Sequence, residues 1–170
     1  MIVASRPDLC ASADGLVFRV ATAADAPQLA SWNRELIEDE GHDNAMSLDQ
    51  LVARMRAWLT TEYQALVFDE LATPVPAPVA YALFRHEPEW VHLRQFFVVR
   101  DRRRRGIGAR AVALLRDTVF PPGVPVIVEA MAWNHAALSF WRAVGFTDRY
   151  VGLESDWAAS AQRSSRSMSP

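Results

Sequence analysis

Five arginines, Arg100, Arg102, Arg103, Arg104 and Arg105, crowd into six consecutive residues, and Gly106 and Gly108 follow directly. Guanidiniums are forked cationic donors, and glycines let backbone N–H groups come close to a ligand's oxygens, so this combination suits an anion such as a diphosphate. A short basic run is more often plain solvated surface. Position argues for a site here. An apolar strand over residues 93–99 leads into the loop and a helix opens at Gly106, so free helix N–H groups and the positive end of the helix dipole face the loop. Other phosphate loops do not fit. A dinucleotide fingerprint needs a third glycine after Gly106-Ile107-Gly108, and no Gly-Lys-Ser or Gly-Lys-Thr occurs in the chain.

Acid–base chemistry has its best candidate in Glu129. Alternation along a strand over residues 125–131 puts it on the face of Ile127 and Met131, where desolvation would raise its pKa toward the range of a general base. An ordinary carboxylate at a strand end, or one paired with an arginine, is the alternative. Residues 35–43 place four carboxylates between Glu38 and Asp43, Glu38 and Asp39 among them. That charge suits a cationic amine, with His42 as a second base near neutral pH, although a solvated helix end explains the same residues. Arg94 and Gln95 interrupt an apolar strand, so one of them is expected to face a substrate cleft, with a paired structural role for Arg94 as the rival. His92 is a further occupant of that cleft, or is satisfied locally. No metal is expected, because His42, His86, His92, His135 and Cys10 lack the close spacings of zinc ligands.

The elements that would position these residues can be read from periodicity. Leu16, Phe18 and Val20 alternate as a strand, and Thr22, Asp25 and Pro27 open a helix over about residues 24–39 that Gly41 stops. Ser47 and Gln50 form a capping box ahead of the apolar face Leu51, Met55, Trp58 and Leu59. Strands follow over residues 63–69, 78–85 and 90–99, the first two separated by a proline-rich loop. After the helix from Gly106 come a strand over 125–131, a helix capped by Asn134, and a last strand over about 146–153. The order β-α-α-β-β-β-α-β-α-β predicts an α/β chain with a mixed sheet and helices packed on it.

At 170 residues and 51% hydrophobic, the chain suits one domain, expected over residues 15–157, with a loose segment at 1–14 and a serine-rich tail at 158–170. The net charge of -2 does not by itself draw a polyanion. Neither a secretory signal nor an apolar stretch long enough to span a membrane is visible, and the one cysteine suits a reducing compartment, so a cytoplasmic protein is expected.

Arg103-Arg104-Arg105-Gly106-Ile107-Gly108 resembles the Arg/Gln-x-x-Gly-x-Gly/Ala loop of the Gcn5-related N-acetyltransferase superfamily. In that superfamily a hydrophobic strand ends eight residues before the first motif glycine, here Phe96-Phe97-Val98. Its pattern Asn-x-x-Ala-x-x-Phe-Tyr-x-x-x-Gly-Phe is also matched, by Asn134, Ala137, Phe140, Trp141, Gly145 and Phe146. The resemblance covers residues 93–146 and implies a mostly antiparallel twisted sheet flanked by helices. It also implies acetyl-CoA as co-substrate, with Phe96, Phe97 and Val98 along the pantetheine arm and the Val98 backbone polarising the acetyl carbonyl. Arg103, Arg104, Arg105, Gly106, Ile107, Gly108 and Ala109 would hold the pyrophosphate, and Asn134 would reach the pantetheine. In one branch of the superfamily a glutamate five residues before that asparagine is the base, and Glu129 stands there.

The departure is Trp141. Superfamily members commonly carry a tyrosine at that place to protonate the thiolate, and an indole N–H does not practically ionise. Trp141 would donate a hydrogen bond to sulfur or fill the core. The resemblance therefore implies an N-acetyltransferase acting on a primary amine of a small molecule or peptide, with Glu38, Asp39, His42 and Arg94 toward the acceptor. The alternative is a coenzyme A binding module that has lost catalysis. Neither nucleic acid nor membrane is expected as a partner, and a homodimer is compatible with the sequence.

Overall fold

The computed structural model describes residues 11–13, 15–41, 43–71 and 76–153. The expectations for a serine-rich tail, for His42 and for most of the N-terminal segment lie outside these residues. Strands β1 (Ala11–Ala13), β2 (Leu16–Val20), β3 (Gln64–Glu70), β4 (Ala77–His86), β5 (Val91–Val98) and β6 (Val126–Val128) form one sheet in chain order. Every neighbouring pair is antiparallel except β5 with β6, which is parallel. A parallel pair needs a crossover. It is supplied by a short turn at Arg100–Arg102, helix α3 (Ile107–Leu114) and a π-helical turn at Leu115–Val119.

Helices α1 (Ala26–Glu40) and α2 (Leu48–Leu59) precede β3, and α4 (His135–Ala143) follows β6. The capping box read at Ser47 is formed, and the helix start read at Thr22 carries one as well. Asp25 accepts from the Thr22 backbone N–H at 2.7 Å, and Gln50 accepts from the Ser47 N–H at 2.7 Å while Ser47 Oγ accepts from the Gln50 N–H at 3.3 Å.

Both faces of the sheet are covered, which is why β4 reads as a continuous apolar run and not as an alternation. Ala80, Ala82 and Phe84 pack with Ile107, Ala111, Leu114 and Trp141 of α3 and α4. Tyr81 and Leu83 turn the other way, onto Leu29 and Trp32 of α1 and Met55 of α2. No helix among the described residues is long and apolar enough to cross a membrane.

The structure corrects the ends of the predicted pattern. Ala11–Ala13, placed in the loose segment, pair with Leu16–Phe18. The strand predicted over 125–131 is reduced to Val126–Val128, because β6 pairs only with residues 91–93 of β5. Residues 146–153 form no strand. Within this stretch Asp148 makes an exposed ion pair with Arg142 of α4 at 2.6 Å, and Val151 and Leu153 are exposed.

Candidate active site

The site begins where β5 bends away from β6. Leu83 of β4 faces Gln95, but the next residue, Phe84, faces Leu93, so Arg94 is the extra residue of a β-bulge. Pairing with β6 stops at the same point, at Leu93 opposite Val128. Beyond the bulge the edge of β5 toward β6 is open. The Val99 N–H donates to the Val79 carbonyl at 2.9 Å, so by alternation Phe97 also turns its amide to β4, whereas Phe96 and Val98 turn theirs to the open edge. Phe97, grouped with them from sequence, is thereby removed from the cleft. Its ring lies among Trp32 and Tyr81 beneath α1.

That edge runs into the arginine corner. Arg104 (φ 63°) and Gly106 (φ 75°) are both left-handed, a conformation that glycine adopts freely and arginine only with strain. Helix α3 has no side-chain cap, and the Gly106 carbonyl accepts from the Arg110 N–H at 3.1 Å. The amides of Ile107, Gly108 and Ala109 are therefore left without intrahelical acceptors and aim outward at the positive end of the helix. A left-handed residue directly before a right-handed turn is the backbone form of an anion-binding nest. The glycines serve different ends. Gly106 supplies the left-handed φ, while a Cβ on Gly108 would lie 3.0 Å from the Phe140 ring, so Gly108 lets α3 pack against α4.

The arginines divide. Arg104 and Arg105 are exposed and make no ion pair with a described residue. Arg103 is committed elsewhere: its Nε donates to the Val98 carbonyl at 2.8 Å and its Nη2 to Asp39 at 2.6 Å. Arg100 reaches Asp39 at 2.8 Å and Glu38 at 3.0 Å, and Arg102 reaches Glu70 at 3.1 Å. Arg103, expected at the pyrophosphate, spends Nε and Nη2 within the protein, and Glu38 and Asp39, expected toward a cationic substrate, pair with the arginine corner.

Burial pushes the Asp39 carboxyl up, but hydrogen bonds from Arg103 and Arg100 outweigh it and hold the pKa below the ordinary 3.8. A depressed carboxylate stabilises the fold above its unfolded pKa and loses that contribution as pH falls through the folded value. Asp39→Asn is thus expected to lower the urea midpoint at pH 7 and to flatten the wild type's loss of stability below about pH 4. An unchanged acid slope in that variant would show the pairs to be idle.

A small cleft opens between the end of α1 (Leu36 and Glu40), the bulge (Arg94, Gln95 and Phe96), the residues after β6 (Glu129 and Ala130) and α4. Trp133 spans its rim, donating from Nε1 to the Glu40 carbonyl at 3.0 Å. Asn134 caps α4 by accepting from the Ala137 N–H at 3.0 Å, which leaves its amide NH2 available to a ligand. Trp141 is 8% exposed and sits in the core with Phe96, Phe140 and Phe146 at centroid distances of 5.5, 5.0 and 4.9 Å.

Glu129 lines the cleft but is not desolvated. It lies just beyond β6 with its side chain 68% exposed, which overturns the burial expected from alternation. The Tyr150 hydroxyl donates to its Oε1 at 3.3 Å, and His92 Nε2 stands 4.0 Å from Oε2. Burial lowers the His92 pKa below its usual 6.5 against the opposing pull of Glu129, so the ring is neutral near pH 7. Among the described residues no group of three or more His, Cys, Asp or Glu could hold a metal ion.

Residues 28–146 match the family model described as the acetyltransferase (GNAT) family. The chain belongs to that family. A possible acetyltransferase from Clostridium difficile 630 has a similar structure, with a TM-score of 0.65 at 16% identity over 84% of this chain and 97% of that one. The aminoglycoside N-acetyltransferase AAC(6')-Iy, solved in complex with CoA, gives 0.58 at 14% identity over 83% and 95%. The aminoglycoside acetyltransferase meta-AAC0020, from an uncultured soil metagenomic sample and solved with sisomicin, gives 0.61 at 16% over 84% and 96%. At such identities the likeness is one of fold. No curated protein sequence matches the chain.

Within this GNAT framework, sequence reasoning missed Tyr150 and the α2 pair Arg54 and Trp58. Spacing of four residues on a helix put Arg54 and Trp58 on one face, a signal that was available. Nothing local in sequence joined Tyr150 to Glu129.

Proposed function

We propose that this GNAT protein is an N-acetyltransferase that moves the acetyl group of acetyl-CoA onto a primary amine of a small molecule or peptide. The observation that carries the reading is the continuous donor track from the open amides of Phe96 and Val98 to the uncapped amides of Ile107–Ala109. It fits a ligand with an amide-rich arm at one end and a diphosphate at the other. The CoA complex of AAC(6')-Iy supports coenzyme A as that ligand.

In this reading the amides of residues 107–109 and the exposed Arg104 and Arg105 hold the diphosphate, and the Asn134 side chain donates to the pantetheine. The Val98 amide meets the acetyl oxygen as it gains negative charge. The amine nitrogen forms the new C–N bond, the C–S bond breaks with its electron pair on sulfur, and Glu129 takes the amine's proton. The thiol's pKa of about 8.5 makes the thiolate a tolerable leaving group that solvent can protonate, so a buried Trp141 does not prevent turnover. With Arg100, Arg102 and Arg103 neutralised by carboxylates, little net charge is left for a nucleic acid. Its single cysteine suits the reducing cytoplasm, where we place it.

The rival is a coenzyme A binding module without catalysis, and the absence of a phenol at Trp141 favours it. Thiol release from acetyl-CoA with a panel of primary amines separates the two. Release above the hydrolysis background is expected with at least one amine. Tight coenzyme A binding with no release from any of them would select the module.

A further inference from the structure

Arg94, which lines the cleft with Glu40 and Glu129, also meets α2, where two guanidiniums lie together. The Arg94 guanidinium lies over the Trp58 ring at 4.9 Å and over Tyr63 at 5.9 Å. Arg54, one helical turn before Trp58, places its own guanidinium 4.6 Å from the same indole. Two cations thus share one aromatic platform. Arg54 donates from Nη2 to the buried Asn33 at 2.8 Å, but its Nε is buried with no hydrogen-bond partner, and neither arginine meets a carboxylate among the described residues. Burial, and then the nearby charge of Arg94, lower the Arg54 pKa from its usual value.

Arg54 is partly buried and Arg94 is exposed, whereas other partly buried arginines of the fold are paired with carboxylates. Arg19, Arg85, Arg102 and Arg103 each reach an aspartate or glutamate. Cation–π contact alone offsets only part of the repulsion between neighbouring guanidiniums, and a buried N–H without an acceptor adds its own desolvation cost. An anion supplied from outside to the exposed Arg94 guanidinium offsets the repulsion, and a guanidinium fork matches a carboxylate in bidentate fashion. Arg94 is also the bulge residue and lines the cleft together with Glu129. Gln95 lies beside it, its Oε1 accepting from the Tyr81 hydroxyl at 3.1 Å, so its amide N–H groups remain as donors. Glu38 and Asp39 are spent on Arg100 and Arg103, while Glu40 and Glu129 line the cleft on the side where the acceptor's amine would sit.

We propose that the acceptor amine carries a carboxylate, held by Arg94 and Arg54 over Trp58, so that the substrate class is amino acids and similar small amino-carboxylic acids, not polyamines. The inference rests on the acyl-transfer reading, in which the acceptor nitrogen sits toward Glu129. It assigns Arg94, a bulge residue, and Arg54, on the α2 face, to specificity.

The test compares the twenty standard amino acids with their C-terminal carboxamides, followed by thiol release from acetyl-CoA. The free acid of the best acceptor is expected to exceed its amide in kcat/KM by about 10- to 100-fold, the size of a lost charge-assisted hydrogen bond pair. Arg94→Gln should bring that ratio close to one, and Arg94→Lys, which keeps the charge but not the fork, should restore part of it. Arg54→Lys is expected to reduce the ratio without unfolding the protein, as checked by its melting temperature. Equal rates for acid and amide, or preference for a polycationic aminoglycoside or an aminoalkyl phosphate, would overturn the carboxylate site while leaving acyl transfer intact. If no amine releases thiol, acyl transfer falls, and calorimetry of the amino acids on the coenzyme A-loaded protein decides. Binding of acids over amides that Arg94→Gln abolishes upholds the site, and indifference to the carboxylate ends it.

Discussion

Gly106→Glu is expected to weaken coenzyme A binding by about 100-fold or more in calorimetry, the largest loss we predict for a single residue. Two effects combine. Gly106 has φ 75°, and an L side chain held there costs roughly 1–2 kcal/mol, which the loop can relieve only by moving the amides of residues 107–109 out of line. The added carboxylate also places negative charge at the positive end of α3, where a diphosphate would be repelled. Nothing lies within 4 Å of a Cβ built at this position, so the loss is not a packing collapse. Gly106→Asn separates the causes, because asparagine tolerates the left-handed region and adds no charge; it should keep affinity within roughly threefold. Unchanged affinity in the glutamate variant would remove this corner from cofactor binding.

Glu129→Gln is expected to lower kcat by about 100-fold, at the lower end of what a positioned base contributes, with coenzyme A affinity and melting temperature unchanged. The substitution keeps size and hydrogen-bonding reach, and the side chain is 68% exposed, so a purely structural role predicts almost no effect. That exposure makes the experiment sharp. The carboxylate owes its candidacy to place and partners, His92 and Tyr150, and not to a buried environment. Wild-type turnover in the variant would take the role from Glu129 and leave the neutral His92 ring as the nearest base.

What could be read from the sequence was local. Ser47 with Gln50, Asn134 at the head of α4, and the strand–arginine–glycine–helix succession all depend on residues a few positions apart, and each is found where its chemistry put it. Arg94 was visible as a misplaced charge in an apolar strand, but the bulge it marks depends on register with β4, which one strand cannot reveal. Long-range pairings were hidden. Nothing near Arg103 announces Asp39, 64 residues away, and this one contact joins an expected phosphate ligand to an expected substrate carboxylate. Glu129 was misjudged because alternation assumes that the strand continues, and β6 ends at Val128 when β5 bends away from it. Residues 146–153 form no strand either, although their pattern resembled one.

The central claim is that one track of backbone donors, from the splayed edge of β5 to the first turn of α3, seats coenzyme A. A crystal structure of the protein grown with coenzyme A tests it most directly. The account predicts diphosphate oxygens within hydrogen-bonding distance of the amides of Ile107, Gly108 and Ala109, and the pantetheine lying along Phe96 and Val98. Coenzyme A bound away from both, with those amides facing solvent, would contradict it.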